Sequence, residues 1–160
     1  MALFRRVPLA DAVVRADALP AEAAAYQRDE VTLGWEERVR ARARRASDEG
    51  FEFATTLPRG LVLRDGDTFV LPADHRVIVV REREEPVFVL TPSSRDEWAL
   101  WAYHIGNSHQ PMMIAGDAIV CPDVPGMEQV LDYHRIPFLR STRAFTPVST
   151  GPGHHGGPLA

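Results

Sequence analysis

A change of rhythm near the middle of the chain sets its architecture. From Glu30 to Val80, turn-forming residues punctuate short apolar runs roughly every eight to twelve residues, the cadence of a small β sandwich or barrel. Beyond the charge run Arg81-Glu82-Arg83-Glu84-Glu85, two helical patterns alternate with strands. One sheet cannot serve both patterns, so the 160 residues read as two small domains with a boundary near Glu85.

In the first domain, residues 25–85, Arg38, Arg40, Arg42 and Arg44 fall on every second position against Val39, Ala41 and Ala43. That period predicts one strand with guanidinium groups on one face and small apolar groups on the other. Asp48-Glu49-Gly50 turns the chain, and Phe51, Phe53, Thr55 and Leu57 alternate in the return strand. Pro58-Arg59-Gly60 breaks that strand, and Asp65-Gly66 precedes the runs Thr68 to Leu71 and Val77 to Val80. The arginine row reads as a solvated strand face, with docking to an acidic protein surface as the alternative.

The second domain, residues 86–148, opens with a strand at Val87 to Leu90. Ser94-Arg95-Asp96-Glu97 is a capping box: a serine hydroxyl and a carboxylate three residues on satisfy free amides at a helix start. The helix is expected to run to about His104, with Gly106 and Asn107 as stops. A hairpin follows around Gly116-Asp117, joining Met112 to Ala115 with Ala118 to Cys121. Pro125 opens a second helix that turns Met127, Val130 and Leu131 inward, and a last strand spans Phe138 to Phe145. The order β-α-β-β-α-β is ferredoxin-like, an α+β layout with two helices on one face of an antiparallel sheet.

The two ends differ from these domains. Residues 1–24, rich in alanine and valine and showing no sustained period, read as a loosely attached leader. Residues 149–160 hold the string Ser149-Thr150-Gly151-Pro152-Gly153-His154-His155-Gly156-Gly157-Pro158, too poor in apolar groups to offset the entropy of ordering. They read as a disordered, histidine-containing tail.

Composition removes several function classes. A net charge of -4 opposes the broad basic surface that phosphate neutralisation requires, so no nucleic-acid partner is expected. No apolar run approaches the roughly 18 residues of a membrane span, and the chain reads as cytoplasmic. All 18 basic residues are arginine, which excludes Schiff-base lysine chemistry and the P-loop lysine. The single cysteine, Cys121, forms neither an internal disulfide nor a thiolate cage, so any metal site is built on imidazole.

The six histidines are unequal. His75, in a turn, and His134, near a helix end, are scattered and require no function. His104 and His109 resemble a zinc-protease pair only superficially. Their spacing is five where that chemistry needs four, and Ile105 stands where the glutamate base belongs. On residues alone, His104 is either a ligand or a helix C-terminal residue whose imidazolium favours the dipole. His154 and His155 are either a solvated tail or ligands that reach a metal held elsewhere.

These residues resemble the family of the urease accessory protein UreE, a nickel metallochaperone. The likeness covers about Val31 to Phe145. It rests on Gly34-Trp35-Glu36-Glu37-Arg38 with the alternating arginines, on Leu57-Pro58-Arg59-Gly60-Leu61-Val62-Leu63-Arg64-Asp65-Gly66-Asp67, and on Tyr103-His104-Ile105-Gly106-Asn107-Ser108-His109-Gln110-Pro111. The resemblance implies a β-rich peptide-binding-type domain followed by a ferredoxin-like domain that forms a homodimer. It gives His104 the principal role: two copies share one Ni²⁺, and His154 and His155 complete its shell. Delivery to the urease accessory GTPase and apo-urease complex follows, with no catalysis and no membrane partner.

By the Irving–Williams order, Cu²⁺ or Zn²⁺ should also bind in vitro. Ser108 stands where the family has arginine, and the two tail histidines contrast with the long histidine run of some relatives, so about one ion per dimer is expected. Cys121-Pro122-Asp123 occupies a stretch where some members carry further histidines. Cys121 is either a soft ligand or a packed core thiol, and His109 is expected to help fix the turn. The alternatives from other classes are a metal-dependent hydrolase and a protein-interaction module with incidental metal binding.

Overall fold

The computed structural model describes residues 7–148, which form two compact units, one ending at Glu82 and the other spanning Arg83–Val148. In the first, β1 (Leu9–Ala10), β2 (Gln27–Leu33), α1 (Trp35–Arg38), β3 (Arg42–Ala46), β4 (Glu52–Thr56), β5 (Thr68–Leu71) and β6 (Arg76–Glu82) follow in order. They make two three-stranded sheets, β1-β4-β3 and β2-β6-β5. The β2 and β6 strands run parallel, from Gln27 opposite Arg76 to Leu33 opposite Glu82.

Alternate residues of the strands turn inward, and Val31, Leu33, Phe53, Leu63, Phe69, Ile78 and Val80 share one core. Phe53 of one sheet meets Phe69 of the other with ring centroids 5.4 Å apart. Between the sheets the described residues show an isolated bridge, Val14 to Thr68, and no ladder that closes them into a barrel. The unit is therefore β-rich and two-sheeted, without the closure that the barrel alternative requires.

The structure departs from two expectations. The arginine row is not one strand: Trp35–Arg38 is a short helical turn, and the strand begins at Arg42. Arg38 is completely buried and donates from Nη1 to the Leu63 carbonyl at 2.9 Å and to Glu82 Oε1 at 3.0 Å. Arg45 also turns inward, donating to Thr55 Oγ1 and to the carbonyls of Glu37 and Arg40. The exposed guanidinium groups are those of Arg40, Arg42 and Arg44. A two-residue period in charge does not register which arginines find buried acceptors.

The presumed leader is docked from residue 7 onward. Leu9 and Ala10 pair in parallel with Ala54 and Thr55, Ala10 joins the core, and Ala23 is fully buried. Val14 exchanges both backbone hydrogen bonds with Thr68, at 2.9 and 2.8 Å, and Arg15 forms an ion pair with buried Asp67. A two-residue strand is too short to leave a period in the text.

In the second unit, β7 (Glu84–Leu90), α2 (Arg95–Asn107), β8 (Met113–Ala115), β9 (Ala118–Pro122), α3 (Met127–Tyr133) and β10 (Leu139–Ala144) make an α+β body. Its sheet runs β10-β7-β9-β8 with every neighbouring pair antiparallel. The β9 strand lies between β7 and β8, so the chain crosses over through α2 before it pairs. Phe88, Leu90, Ile119 and Cys121 of the sheet share a core with Trp101 and Ile105 of α2 and Met127 and Leu131 of α3. Both helices thus pack on the same apolar layer.

Candidate metal centre

The α2 helix begins where the capping box places it. The Glu97 amide donates to Ser94 Oγ at 3.2 Å, and Glu97 Oε2 accepts from the Ser93 amide at 2.6 Å and its hydroxyl at 2.7 Å. These bonds, first from the backbone and then from the hydroxyl of Ser93, hold the Glu97 carboxyl below its ordinary value.

The helix ends later than expected. It passes through Gly106 to Asn107 and is capped at Ser108, whose hydroxyl donates to the His104 carbonyl at 2.9 Å. The left-handed residue of this turn is His109, with φ of 56°, rather than a glycine. The His109 amide closes the turn on the Gly106 carbonyl at 3.0 Å, and its side chain is exposed.

Trp101 and Ile105, four apart, anchor the inward face of α2. The outward face carries Leu100 and Tyr103, 54% and 63% exposed. His104 lies between these faces, half-buried in the last turn. Against it stands His134, the residue that caps the C-terminal end of α3. The two imidazoles stack with centroids 3.7 Å apart and planes 15° from parallel. Tyr103 meets His104 edge-on at 5.4 Å, and Tyr133 meets His134 edge-on at 4.9 Å. Four rings therefore line up across the adjoining helix ends.

His134 has the convergent partner that its isolation in the text concealed. The two histidines are thirty positions apart, and no spacing rule joins them. The element order gave no signal for the contact either, which follows from how α2 and α3 pack on one apolar layer.

The remaining candidates separate. His75 belongs to the first unit, where its ring packs edge-on to Tyr26 at 5.4 Å. Cys121 lies in β9 with no exposure, and burial pushes its thiol up to about 12. It stays protonated at neutral pH and serves as packing rather than as a soft ligand. His154 and His155 lie outside the described residues. Among the described residues no three histidine, cysteine or acidic side chains converge on a point where an ion could be held. One chain thus offers a pair of adjacent imidazoles and, in this part of the molecule, nothing to complete a shell.

The N-terminal domain model of the UreE urease accessory protein matches residues 11–82, and the C-terminal domain model matches residues 85–158. The urease accessory protein UreE of Paracoccus denitrificans is 32% identical over 148 residues, covering 92% of this chain and 88% of that protein. The one from Ralstonia nicotianae is 34% identical over 122 residues, covering 75% and 57% respectively. For the Microcystis aeruginosa protein the identity is 39% over 89 residues, 55% of this chain and 56% of the relative. The matched stretch thus spans little more than half the length of two of these relatives, 57% and 56%, and most of the third, 88%.

Proposed function

Because the chain belongs to the family of UreE urease accessory proteins, we propose that it is a nickel metallochaperone of urease maturation. In this reading two copies pair about the outward face of α2, each supplies His104 to one Ni²⁺, and His154 and His155 complete the shell. The ion is then passed, in the cytoplasm, to the urease accessory GTPase and the apo-urease complex. Nickel is cargo, and the chain performs no catalysis.

The place of His104 carries this reading. It sits half-buried beside Leu100 and Tyr103, whose exposure leaves an apolar surface that a second copy would cover. A single imidazole holds a divalent ion weakly, whereas a two-fold axis presents the same ligand twice from a self-complementary surface. Metal and dimer then stabilise one another by linkage. Neutral imidazole suits nickel, copper and zinc alike, so Cu²⁺ is expected to bind at least as tightly as Ni²⁺ in vitro. A hydrolase would need further fixed ligands around an open coordination position and a neighbouring base, and the described residues offer no such cluster. No helix among the described residues is long and apolar enough to cross a membrane.

Calorimetry with Ni²⁺ on the full chain tests the reading. Binding of one ion per two chains is expected, His104→Ala should abolish the tight component, and truncation after Gly151 should weaken it only in part. Sedimentation should show a dimer that nickel tightens. Unchanged binding in both variants would overturn the proposal in favour of an interaction module with incidental metal affinity.

A further inference from the structure

The β3 strand is an edge of its sheet. Among the described residues it has β4 on one side and no strand on the other. Its ladder with β4 is framed by two backbone bonds, from the Leu57 amide to the Ala41 carbonyl at 2.8 Å and from the Ser47 amide to the Phe51 carbonyl at 2.9 Å. In an antiparallel ladder such bonded pairs recur at every second residue, so Ala43 and Arg45 also turn their backbone groups toward β4. Arg42, Arg44 and Ala46 therefore present their amides and carbonyls outward. Side chains alternate in step: Arg45 and its neighbour Phe53 are buried, whereas Arg42, Arg44 and Ala46 are exposed on the outer face.

The charge on this edge is unmatched. Arg76 is paired with Asp29, and Arg81 with Glu30 and Asp65, whereas among the described residues the side chains of Arg40, Arg42 and Arg44 have no ion-pair partner. We propose that β3 binds an extended acidic segment of a partner protein, which adds to this edge as a fourth strand and sets its carboxylates against Arg42 and Arg44. The two arginines lie about 6.7 Å apart along the strand, the interval at which side chains of an added strand recur on one face. Arg40, whose carbonyl already accepts from Arg45 Nη2, adds charge but no strand bond. Glu52, opposite Ala46, bounds the basic stretch at its other end.

Charge selects this occupant over others. A second copy at this edge would set arginine against arginine, which cross-strand pairing disfavours. Neither segment outside the described residues, 1–6 or 149–160, contains an acidic side chain. Nucleic acid would answer the charge but has no peptide backbone to meet the outward amides and carbonyls, and the chain as a whole carries a net charge of -4.

The test titrates the full chain with a capped decapeptide of alternating threonine and glutamate and follows backbone amides by NMR. The amides of Arg42, Arg44 and Ala46 should gain protection from hydrogen exchange, while those of Ala43 and Arg45, already turned to β4, should keep theirs. The same peptide with lysine for glutamate should not bind. A fully N-methylated version keeps the carboxylates, cannot pair as a strand, and should give no protection. Replacing both Arg42→Gln and Arg44→Gln should weaken binding by about fivefold to tenfold, the size of two exposed ion pairs, and added salt should weaken wild-type binding in the same direction. Melting of the double variant separates this loss from damage to the fold. Absent or uniform protection along β3, equal affinity of the N-methylated peptide, or affinity indifferent both to salt and to the double substitution would overturn the proposal. Tighter binding of an oligothymidylate than of the acidic peptide would overturn it in favour of a nucleic-acid surface.

Discussion

Replacing Arg38 with methionine keeps the apolar stem of a fully buried side chain and removes its charge. In the native protein Nη1 donates to the carbonyl of Leu63, itself fully buried, and to Glu82, whose side chain is 18% exposed. Breaking one partner of a buried pair costs about 3–5 kcal/mol, because the surviving groups lose their donor without regaining water. The partial exposure of Glu82 lets solvent recover some of that loss, which places Arg38→Met near 3 kcal/mol. That is a large share of the 5–15 kcal/mol that typically holds a domain.

Urea unfolding followed through the amide resonances of the first unit would read the change as a shift in midpoint at constant slope. A double-mutant cycle with Glu82→Gln should return a coupling of about 1.5–3 kcal/mol. If Arg38→Met lies within about 0.5 kcal/mol of wild type, the size expected for a surface substitution, the buried placement is refuted and the solvated arginine row is restored.

Two further outcomes follow from groups in the second unit. Ser93 holds the Glu97 carboxyl below its ordinary value, so the associated stability is present above the unfolded value and disappears as pH falls through the lower folded one. Melting curves of wild type and Glu97→Gln should separate at neutral pH, with wild type higher, and converge in acid; a constant separation at every pH would remove this cause. Burial raises the Cys121 thiol to about 12, so its contribution is complete below the unfolded value near ~8.5 and fades as pH climbs between the two. Alkylation at pH 8 should be slow in the native protein and fast in urea, and equal rates would show that the thiol is exposed.

Much of the second unit was legible because its signals are local. A serine three residues before a glutamate marks a helix start whatever surrounds it, and Gly116-Asp117 between apolar runs marks a hairpin. The order of elements then leaves few sheet arrangements open. The first unit was harder to read. Its parallel β2 and β6 pair joins segments separated by most of the domain, and the strand at Leu9 and Ala10 is too short to carry a period. The end of α2 was misplaced for a related reason. Gly106 permits a stop, but the Ser108 hydroxyl on the His104 carbonyl and the left-handed turn at His109 carry the helix one turn further.

By itself the amino-acid order determined the class of each unit, the helix carrying His104, and an imidazole-based chemistry, since turn residues, capping boxes and the scarcity of thiols act over a few positions. Tertiary structure decided which arginines are buried, how residues 7–24 are held, and that His134 lies on His104. Those contacts join positions far apart in the chain. They exist because packing an apolar layer brings particular helix ends and sheet faces together, a geometric outcome that no local pattern encodes.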